Sequence, residues 1–167
     1  HLSHTLKNAK PTKSTRDFRA ALRKTNPPHL ISEIKKASPS RGPLSPEADV
    51  QHIASIYHSS GASAISVLTD ETFFQGSLAD LFAVSQTVKI PILRKDFILT
   101  ETQILEARLS GADAVLLMVS VLREKHKIKS LLQYAQTLHI DCLVETHNFK
   151  EIEIAVREND LRAYNLT

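Results

Sequence analysis

GASAISVLT, residues 61–69, is followed 50 residues later by a similar segment, GADAVLLMV, residues 111–119. Each begins with a glycine that ends a helix-like stretch and continues as the apolar run of a buried strand. The strand-like stretches at 90–97 and 140–146 are separated by the same interval. The chain therefore repeats a helix-then-strand unit of roughly 25 residues, which predicts βαβ crossovers and a parallel sheet.

The pattern around this repeat predicts five strands and six helices. Strands are expected at 30–35, 64–69, 90–97, 114–120 and 140–146. Helices are expected at 15–25, 45–61, 78–88, 100–111, 123–139 and 148–159. Thr15 and Ser45 are the predicted N-caps of the first two helices. We accordingly divide the chain into a tail with an extension helix, residues 1–28, and a partial (β/α) barrel domain, residues 29–167.

Two α/β architectures satisfy this alternation. Five units fill a five-stranded doubly wound sheet, and they are three short of a (β/α)8 barrel. The four glycines are isolated, so the Gly-rich phosphate loop common in doubly wound sheets is missing from the sequence. Charged residues stand near the carboxyl ends of three predicted strands, where barrel enzymes keep their chemistry. This placement favours an arc of a barrel.

Composition limits the classes of partner. The 167 residues carry a net charge of +3 with a pI of about 9.0, a surplus too small to indicate nucleic-acid binding. The basic residues before position 30 are interpreted as a solvated face or tail. No membrane span or signal peptide is recognisable, and the single cysteine, Cys142, is expected to be a small core residue in a reducing compartment. A cytoplasmic protein is expected.

Four charged residues are the candidate catalytic groups: Glu33, Lys35, Lys95 and Glu145. Side chains two apart on a strand share a face, so Glu33 and Lys35 point the same way. Two ammonium groups and two carboxylates at a barrel mouth can divide acid and base roles, because proximity separates their pKa values. The alternative is a set of ordinary salt bridges at strand ends.

Two loops are candidate binding segments. Ser38 in KKASPSRG, residues 35–42, is a hydroxyl donor suited to an anionic group, although a plain Ser-Pro turn is the alternative. Phe73 and Phe74 in DETFFQGS, residues 70–77, are suited to the wall of a pocket for a ring, unless they tuck onto the core. His147 is interpreted as a loop histidine, and no metal site is proposed.

These motifs carry a resemblance. SEIKKASPSRG, SVLTDETFFQGS, PILRKDFI with QILEARLSGADAVLLMVSVL, and LVETH resemble the indole-3-glycerol-phosphate synthase family in order and spacing, from about Phe18 to about Arg157. The resemblance implies a (β/α)8 barrel with an N-terminal helical extension. It also implies a carboxy-lyase of tryptophan biosynthesis that converts 1-(2-carboxyphenylamino)-1-deoxyribulose 5-phosphate to indole-3-glycerol phosphate, carbon dioxide and water. No cofactor is implied.

The resemblance assigns roles to the catalytic candidates. Lys95 matches the general acid at the ribulose oxygen, and Glu145 matches the residue that takes a proton in the dehydration. Glu33 matches a glutamate that supports catalysis, and Lys35 matches a lysine that meets the substrate's anionic groups.

The resemblance also assigns substrate contacts. Ser38 and Pro39 match a substrate-contacting turn, and the apolar wall around the anthranilate ring is matched by Phe74, Phe97 and Leu116. Arg94 and Asp96 are expected to face away from the pocket and to pair with each other.

The end of the chain departs from the family pattern. ENDLRAYNLT stands where the family has a GINNRDL-like sixth strand, and the last two strands with their phosphate-binding loops are not recognisable. We therefore expect a chain truncated at its C-terminus and shortened at its N-terminus. A non-catalytic remnant that binds a partner barrel remains an alternative, as does phosphoribosylanthranilate isomerase, whose acid–base pair is Cys and Asp. The oligomeric state is not predicted.

Overall fold

The computed structural model describes residues 16–23, 28–44, 47–157 and 165–166, and in them strands and helices alternate. The strands are β1 (Ile31–Ile34), β2 (Ala37–Ser38), β3 (Gly42–Pro43), β4 (Ala64–Leu68), β5 (Ile92–Lys95), β6 (Ala114–Met118), β7 (Asp141–Glu145) and β8 (Asn165–Leu166). The helices are α1 (Phe18–Ala21), α2 (Val50–Ser59), α3 (Glu71–Phe74), α4 (Leu78–Thr87), α5 (Glu101–Leu109), α6 (Val119–Leu122), α7 (Lys125–Thr137) and α8 (Phe149–Arg157).

The order of the strands distinguishes the two predicted architectures. The main sheet runs β1-β4-β5-β6-β7-β8, and every neighbouring pair is parallel. Spatial order therefore follows chain order, whereas a doubly wound sheet reverses at a switch point. The sheet is an arc of a (β/α) barrel, as the sequence favours. It has a sixth strand beyond the five predicted, because the two residues of β8 pair with Leu143 and Val144 of β7.

Two apolar layers cover the sheet. The layer between the sheet and its helices contains the outward-facing aliphatic residues of each strand, among them Ile65, Ile92, Val115 and Val144. Such burial on both faces is typical of parallel sheets and explains their nearly continuous apolar runs. The inner layer on the concave face is smaller, and it includes Leu93 and Leu143.

Helix α1 packs into the concave face. Phe18 is buried in the inner layer against strand residues that include Ala64 and Ala114. The N-cap of α1 is Asp17, whose carboxylate accepts the Ala20 amide at 2.7 Å. The prediction of a longer helix capped by Thr15 is therefore wrong in its start. Thr15 itself and the predicted tail lie outside the described residues.

Arg16 contradicts the expectation that the early basic residues form a solvated face. Its backbone N–H and its Nε each donate to the Asp113 carboxylate at 2.7 Å. Its Nη1 and Nη2 donate to the carbonyls of Val88 and Gly111, both at 2.9 Å. Asp113 directly precedes β6, so this network closes the end of the sheet at which the strands begin.

Helix α2 starts later than predicted. Its N-cap is Asp49, whose carboxylate accepts the amides of Gln51 and His52 at 3.0 and 3.1 Å. The predicted cap, Ser45, lies outside the described residues. An ionised carboxylate stabilises two free amides of a first turn and favours a start at Val50. No helix in the described part of the chain is long and apolar enough to cross a membrane.

Candidate active site

Three charged side chains meet where the strands end. The Nζ of Lys95, at the end of β5, lies 2.6 Å from Oε2 of Glu33 in β1. The Nζ of Lys35 lies 2.9 Å from Oε1 of the same carboxylate. Strand β4 runs between β1 and β5, and its residue in register with Glu33 is the small Ser66. The small side chain leaves room for Lys95 to reach across the intervening strand.

The shared carboxylate of Glu33 is held in its ionised form. Burial alone would raise the pKa of Glu33, but the hydrogen bonds and positive charges of Lys95 and Lys35 lower it below the usual value. The three groups remain partly open to water, with side-chain exposures of 29% for Glu33 and 36% for Lys95. They can therefore exchange partners with a bound anion.

A pocket of about 150 Å³ lies beside this cluster. Lys95 and Glu145 contribute charged side chains from β5 and β7, and Phe74, Phe97 and Leu116 contribute apolar walls. The remaining lining residues are Leu68, Asp70, Asp96 and Met118. One face of the sheet thus offers an acid and a base on either side of an apolar surface.

The aromatic wall depends on helix α3, which the sequence analysis treated as a loop. Phe73 and Phe97 pack edge to face, with ring centroids 6.3 Å apart. Phe73 is 53% exposed, so it does not tuck onto the core. Asp70 caps α3 by accepting the Phe73 amide at 2.6 Å. Gly76 then passes so close to the Leu68 carbonyl that an added Cβ would lie 2.1 Å from the oxygen.

Four predicted site residues lie outside the pocket lining. Glu33 is connected to the pocket by its ion pair with the lining residue Lys95, and Lys35 is connected to it by its ion pair with Glu33. Ser38 is buried in the β2–β3 hairpin, and Pro39 is exposed at its turn. The hairpin packs on α3 and so lies close to the aromatic wall.

An ion pair with α4 also holds the hairpin in place. The Nζ of Lys36 lies 2.8 Å from both carboxylate oxygens of Asp80, in the first turn of α4. Lys36 and Leu44 close the hairpin with a backbone hydrogen bond of 2.8 Å.

Some pocket residues were not predicted. Met118 lies two residues after Leu116, and Leu68 is in register with Lys95, so strand periodicity contains a signal for both. Asp70 was overlooked because α3 was not recognised.

Arg94 and Asp96 are paired, as expected from the sequence, through Nη2 and Oδ2 at 2.8 Å. The expectation that both face away from the pocket is wrong for Asp96, which is part of the lining. His147 lies in the loop after β7, with Nε2 3.0 Å from Glu145 Oε1. Cys142 is buried in the outer layer, away from the pocket, and burial raises the pKa of its thiol to about 12.

The geometry defines a class of protein. Acid and base side chains converge from three parallel strands at their carboxyl ends, above a sheet whose other end is closed by buried packing. This is the arrangement of a (β/α)-barrel enzyme.

Comparison with known proteins specifies the family. The family model for indole-3-glycerol phosphate synthase matches residues 1–161. The synthase of Pelodictyon phaeoclathratiforme is 47% identical over 162 residues, which cover 91% of this chain and 63% of that protein. The synthase of Leptospira interrogans is 52% identical over 127 residues, covering 76% of this chain and 50% of that protein. The chain belongs to the indole-3-glycerol phosphate synthase family, and it spans about half to two thirds of these relatives.

A solved structure supports the fold alone. D-glucarate dehydratase from Agrobacterium tumefaciens superposes with a TM-score of 0.60 at 13% identity, over 90% of this chain and 38% of that one.

Proposed function

We propose that this chain carries the part of an indole-3-glycerol-phosphate synthase active site that belongs to the first strands of the barrel. The substrate is 1-(2-carboxyphenylamino)-1-deoxyribulose 5-phosphate, and the products are indole-3-glycerol phosphate, carbon dioxide and water. The observation that carries the proposal is the pocket in which Lys95 and Glu145 flank an apolar surface.

In this proposal Lys95 is the general acid. Ring closure forms a bond between the aromatic ring and the carbonyl carbon of the ribulose chain, and the carbonyl oxygen gains negative charge. An ammonium group at the pocket wall can protonate that oxygen. Glu33 orients the ammonium through its 2.6 Å contact, and Lys35, on the other carboxylate oxygen, is available to the substrate's anionic groups.

Loss of carbon dioxide restores the benzene ring, and Glu145 then takes the proton released in the dehydration, in which the hydroxyl group leaves as water and the pyrrole ring becomes aromatic. Glu145 lines the same pocket as Lys95 but comes from β7, so the two groups approach a bound ring from different sides. Separate strands allow one group to remain an acid while the other acts as a base.

The ring of the substrate binds between Phe74, Phe97 and Leu116. Their apolar surfaces bury an aromatic ring, and the edge-to-face contact of Phe97 with Phe73 fixes one wall. Ser38 and Pro39 contact the substrate from the β2–β3 hairpin, which requires the hairpin to close over the pocket.

We further propose a cytoplasmic protein whose partner is this small phosphorylated substrate, with neither nucleic acid nor a cofactor involved. The mild net charge and the reduced thiol of Cys142 support this. The position of Cys142 in the outer layer argues against the isomerase, whose chemistry needs a cysteine at the pocket.

The experiment is an assay of product fluorescence. The 167-residue chain is supplied with substrate, alone and mixed with the C-terminal remainder of the Pelodictyon synthase that this chain does not match. Lys95→Ala is compared with Lys89→Ala, which removes an exposed lysine preceding β5.

We expect Lys95→Ala to lower turnover by about 10²–10⁴-fold, the usual contribution of a general acid, and Lys89→Ala to leave it unchanged. Equal activity of the two variants would refute the role of Lys95. Absence of product from both the chain and the mixture, with the intact relative active, would overturn the proposed function.

A further inference from the structure

A buried arginine lies behind the pocket, between aliphatic residues of the neighbouring strands. Arg94 is 4% exposed, and the residues in register with it on β4 and β6 are Val67 and Val115. A guanidinium in such a place is costly unless its donors are satisfied. An aliphatic residue at position 94, between Val67 and Val115, would fill the same space, so packing alone does not account for Arg94.

The donors of Arg94 reach groups at the ends of β4 and β5 and on α5, where Nη1 also lies 3.6 Å from Glu106 Oε2. Nε donates to Thr69 Oγ1 at 2.9 Å, and Nη2 donates to Asp96 Oδ2 at 2.8 Å. Nη1 donates to the carbonyl of Gln103 at 2.7 Å. Because the guanidinium is planar, these three contacts fix the relative positions of two strand ends and of α5.

Asp96 links the hydrogen bonds of Arg94 to the backbone of Phe97, a pocket residue. Its Oδ2 also accepts the Thr69 hydroxyl at 2.6 Å, and its Oδ1 accepts the backbone N–H of Phe97 at 2.7 Å. The Asp96 carboxylate is therefore held by Arg94, Thr69 and the Phe97 amide, while Asp96 also lines the pocket beside Lys95 and Phe97. The backbone N–H of Thr69 donates to the Lys95 carbonyl at 3.2 Å and holds the same point from β4.

Gln103 fixes the other side of Phe97. Its Nε2 donates to the Phe97 carbonyl at 2.9 Å, and its Oε1 accepts the amides of Leu99 and Thr100 at 2.8 and 3.1 Å. The backbone N–H of Phe97 is thus bound by Asp96, whose carboxylate accepts from Arg94. The backbone carbonyl of Phe97 is bound by Gln103, whose own carbonyl accepts from Arg94. The ring of Phe97 is presented to the pocket on an immobilised backbone.

We propose that Arg94, acting through Asp96 and Gln103, is a positioning residue that sets the placement of Lys95 and Phe97 for the reaction. The inference rests on the proposed function for its chemistry. The placement it describes can be measured without turnover.

The test compares variants of the full 167-residue chain. Arg94→Met removes the donors but keeps an apolar side chain of similar length, and Arg94→Lys keeps the charge without the planar fork. The matched control is Arg108→Met, which removes another buried arginine, one that donates to the Leu138 carbonyl at the opposite end of the sheet. Thr69→Val deletes one hydroxyl and leaves the Arg94–Asp96 pair intact, so it tests the network if Arg94→Met does not fold.

Two readouts report placement. The first is NMR of the Phe97 amide and of 13C-methylated Lys95, whose signal is assigned by its loss in Lys95→Arg. The second is the affinity for anthranilate, used as a probe of the ring site and followed by its own fluorescence, which is free of background because the chain has no tryptophan. Turnover in the assay described above gives kcat and KM.

We expect Arg94→Met to shift both NMR signals and to weaken anthranilate roughly 2- to 10-fold, the equivalent of one aromatic contact. We expect kcat to fall by up to about 10²-fold with a smaller change in KM, since small misplacement of a catalytic group has effects of that size. Arg94→Lys should recover part of each change. Arg108→Met should lower stability without moving either signal.

Equal loss of stability in Arg94→Met and Arg108→Met, with unchanged NMR signals and anthranilate affinity, would make Arg94 merely structural and overturn the proposal. Absence of turnover both from the wild-type chain and from its mixture with the C-terminal remainder of the Pelodictyon synthase refutes the proposed function instead, and the NMR and affinity measurements still decide the positioning role.

Discussion

Replacement of Asp113 by alanine should cost more stability than any exposed aspartate can. The Asp113 side chain is 1% exposed, and its carboxylate accepts Arg16 N–H, Arg16 Nε and the Ile92 amide at 2.7, 2.7 and 2.9 Å. Hydrogen bonds to a charged group contribute about 1.5–3 kcal/mol each, but their effects are not additive. Removing one partner of a buried ion pair costs about 3–5 kcal/mol. We expect a loss of about 4 kcal/mol, a large fraction of the stability of an ordinary domain.

The assay is urea unfolding followed by far-UV circular dichroism. With a slope of about 2 kcal/mol per molar urea, the midpoint of Asp113→Ala should fall by roughly 2 M. The matched control is Asp49→Ala, which removes the exposed N-cap of α2 and should cost about 1 kcal/mol. Addition of Arg16→Met should cost less in the Asp113→Ala background than in wild type, because the unpaired charge is then removed. Equal midpoints for Asp113→Ala and Asp49→Ala would refute the reasoning.

Three further predictions concern single positions. Gly76→Ala should lower the melting temperature and weaken anthranilate binding, because the added Cβ collides with the Leu68 carbonyl; unchanged binding would contradict this close approach. Burial, with Asp17 and Asp113 nearby, raises the pKa of Asp141, so its contribution to stability is complete below the unfolded value of 3.8 and is lost as pH rises through the folded pKa. Asp141→Asn should therefore gain stability relative to wild type as pH increases through that window, in urea titrations at several pH values. Cys142, with a thiol pKa of about 12, should react with a disulfide reagent only as the chain unfolds, and rapid native labelling would contradict its burial.

The fold could be predicted because its signal is periodic. The offset between Gly61 and Gly111 identifies a repeated unit, and each apolar run between turn signals became a strand of the sheet. The helices α3 and α6 were not predicted, since four residues are too few to display a helical period. Helix starts shifted where a carboxylate such as Asp49 competed with an earlier serine.

The sequence predicted five of the nine residues that line the pocket, namely Lys95, Glu145, Phe74, Phe97 and Leu116. Alternation along a strand is enough to direct Glu33, Lys95 and Glu145 to one face. It does not predict which side chain crosses to another strand, because the ion pair of Lys95 with Glu33 depends on the size of Ser66 between them. The location of Ser38 depends on a hairpin whose two strands have only two residues each.

Arg16 shows why a run of basic residues is a weak guide to exposure. The local sequence around it is polar and basic, and this composition favours a solvated interpretation. Its burial results from Asp113, which lies 97 residues away in the sequence. No local pattern contains that contact.

The charged residues of this domain fall into three groups that differ in how far their side chains are exposed to water. Asp113 is almost fully buried and accepts three hydrogen bonds, so it contributes to stability. Glu33 and Lys95 are paired but remain about one-third exposed, so a bound anion can replace Glu33 at Lys95 without opening the core. Arg94 combines the two situations, since its side chain is as buried as a structural group while its hydrogen-bond partners hold the backbone of Phe97 and direct Lys95 into the pocket. The charges of LRKDF, residues 93–97, are thus compatible with a buried strand because Arg94 pairs with Asp96 and Lys95 pairs with Glu33. In the proposed function Lys95 presents the chemistry and Arg94 fixes its position.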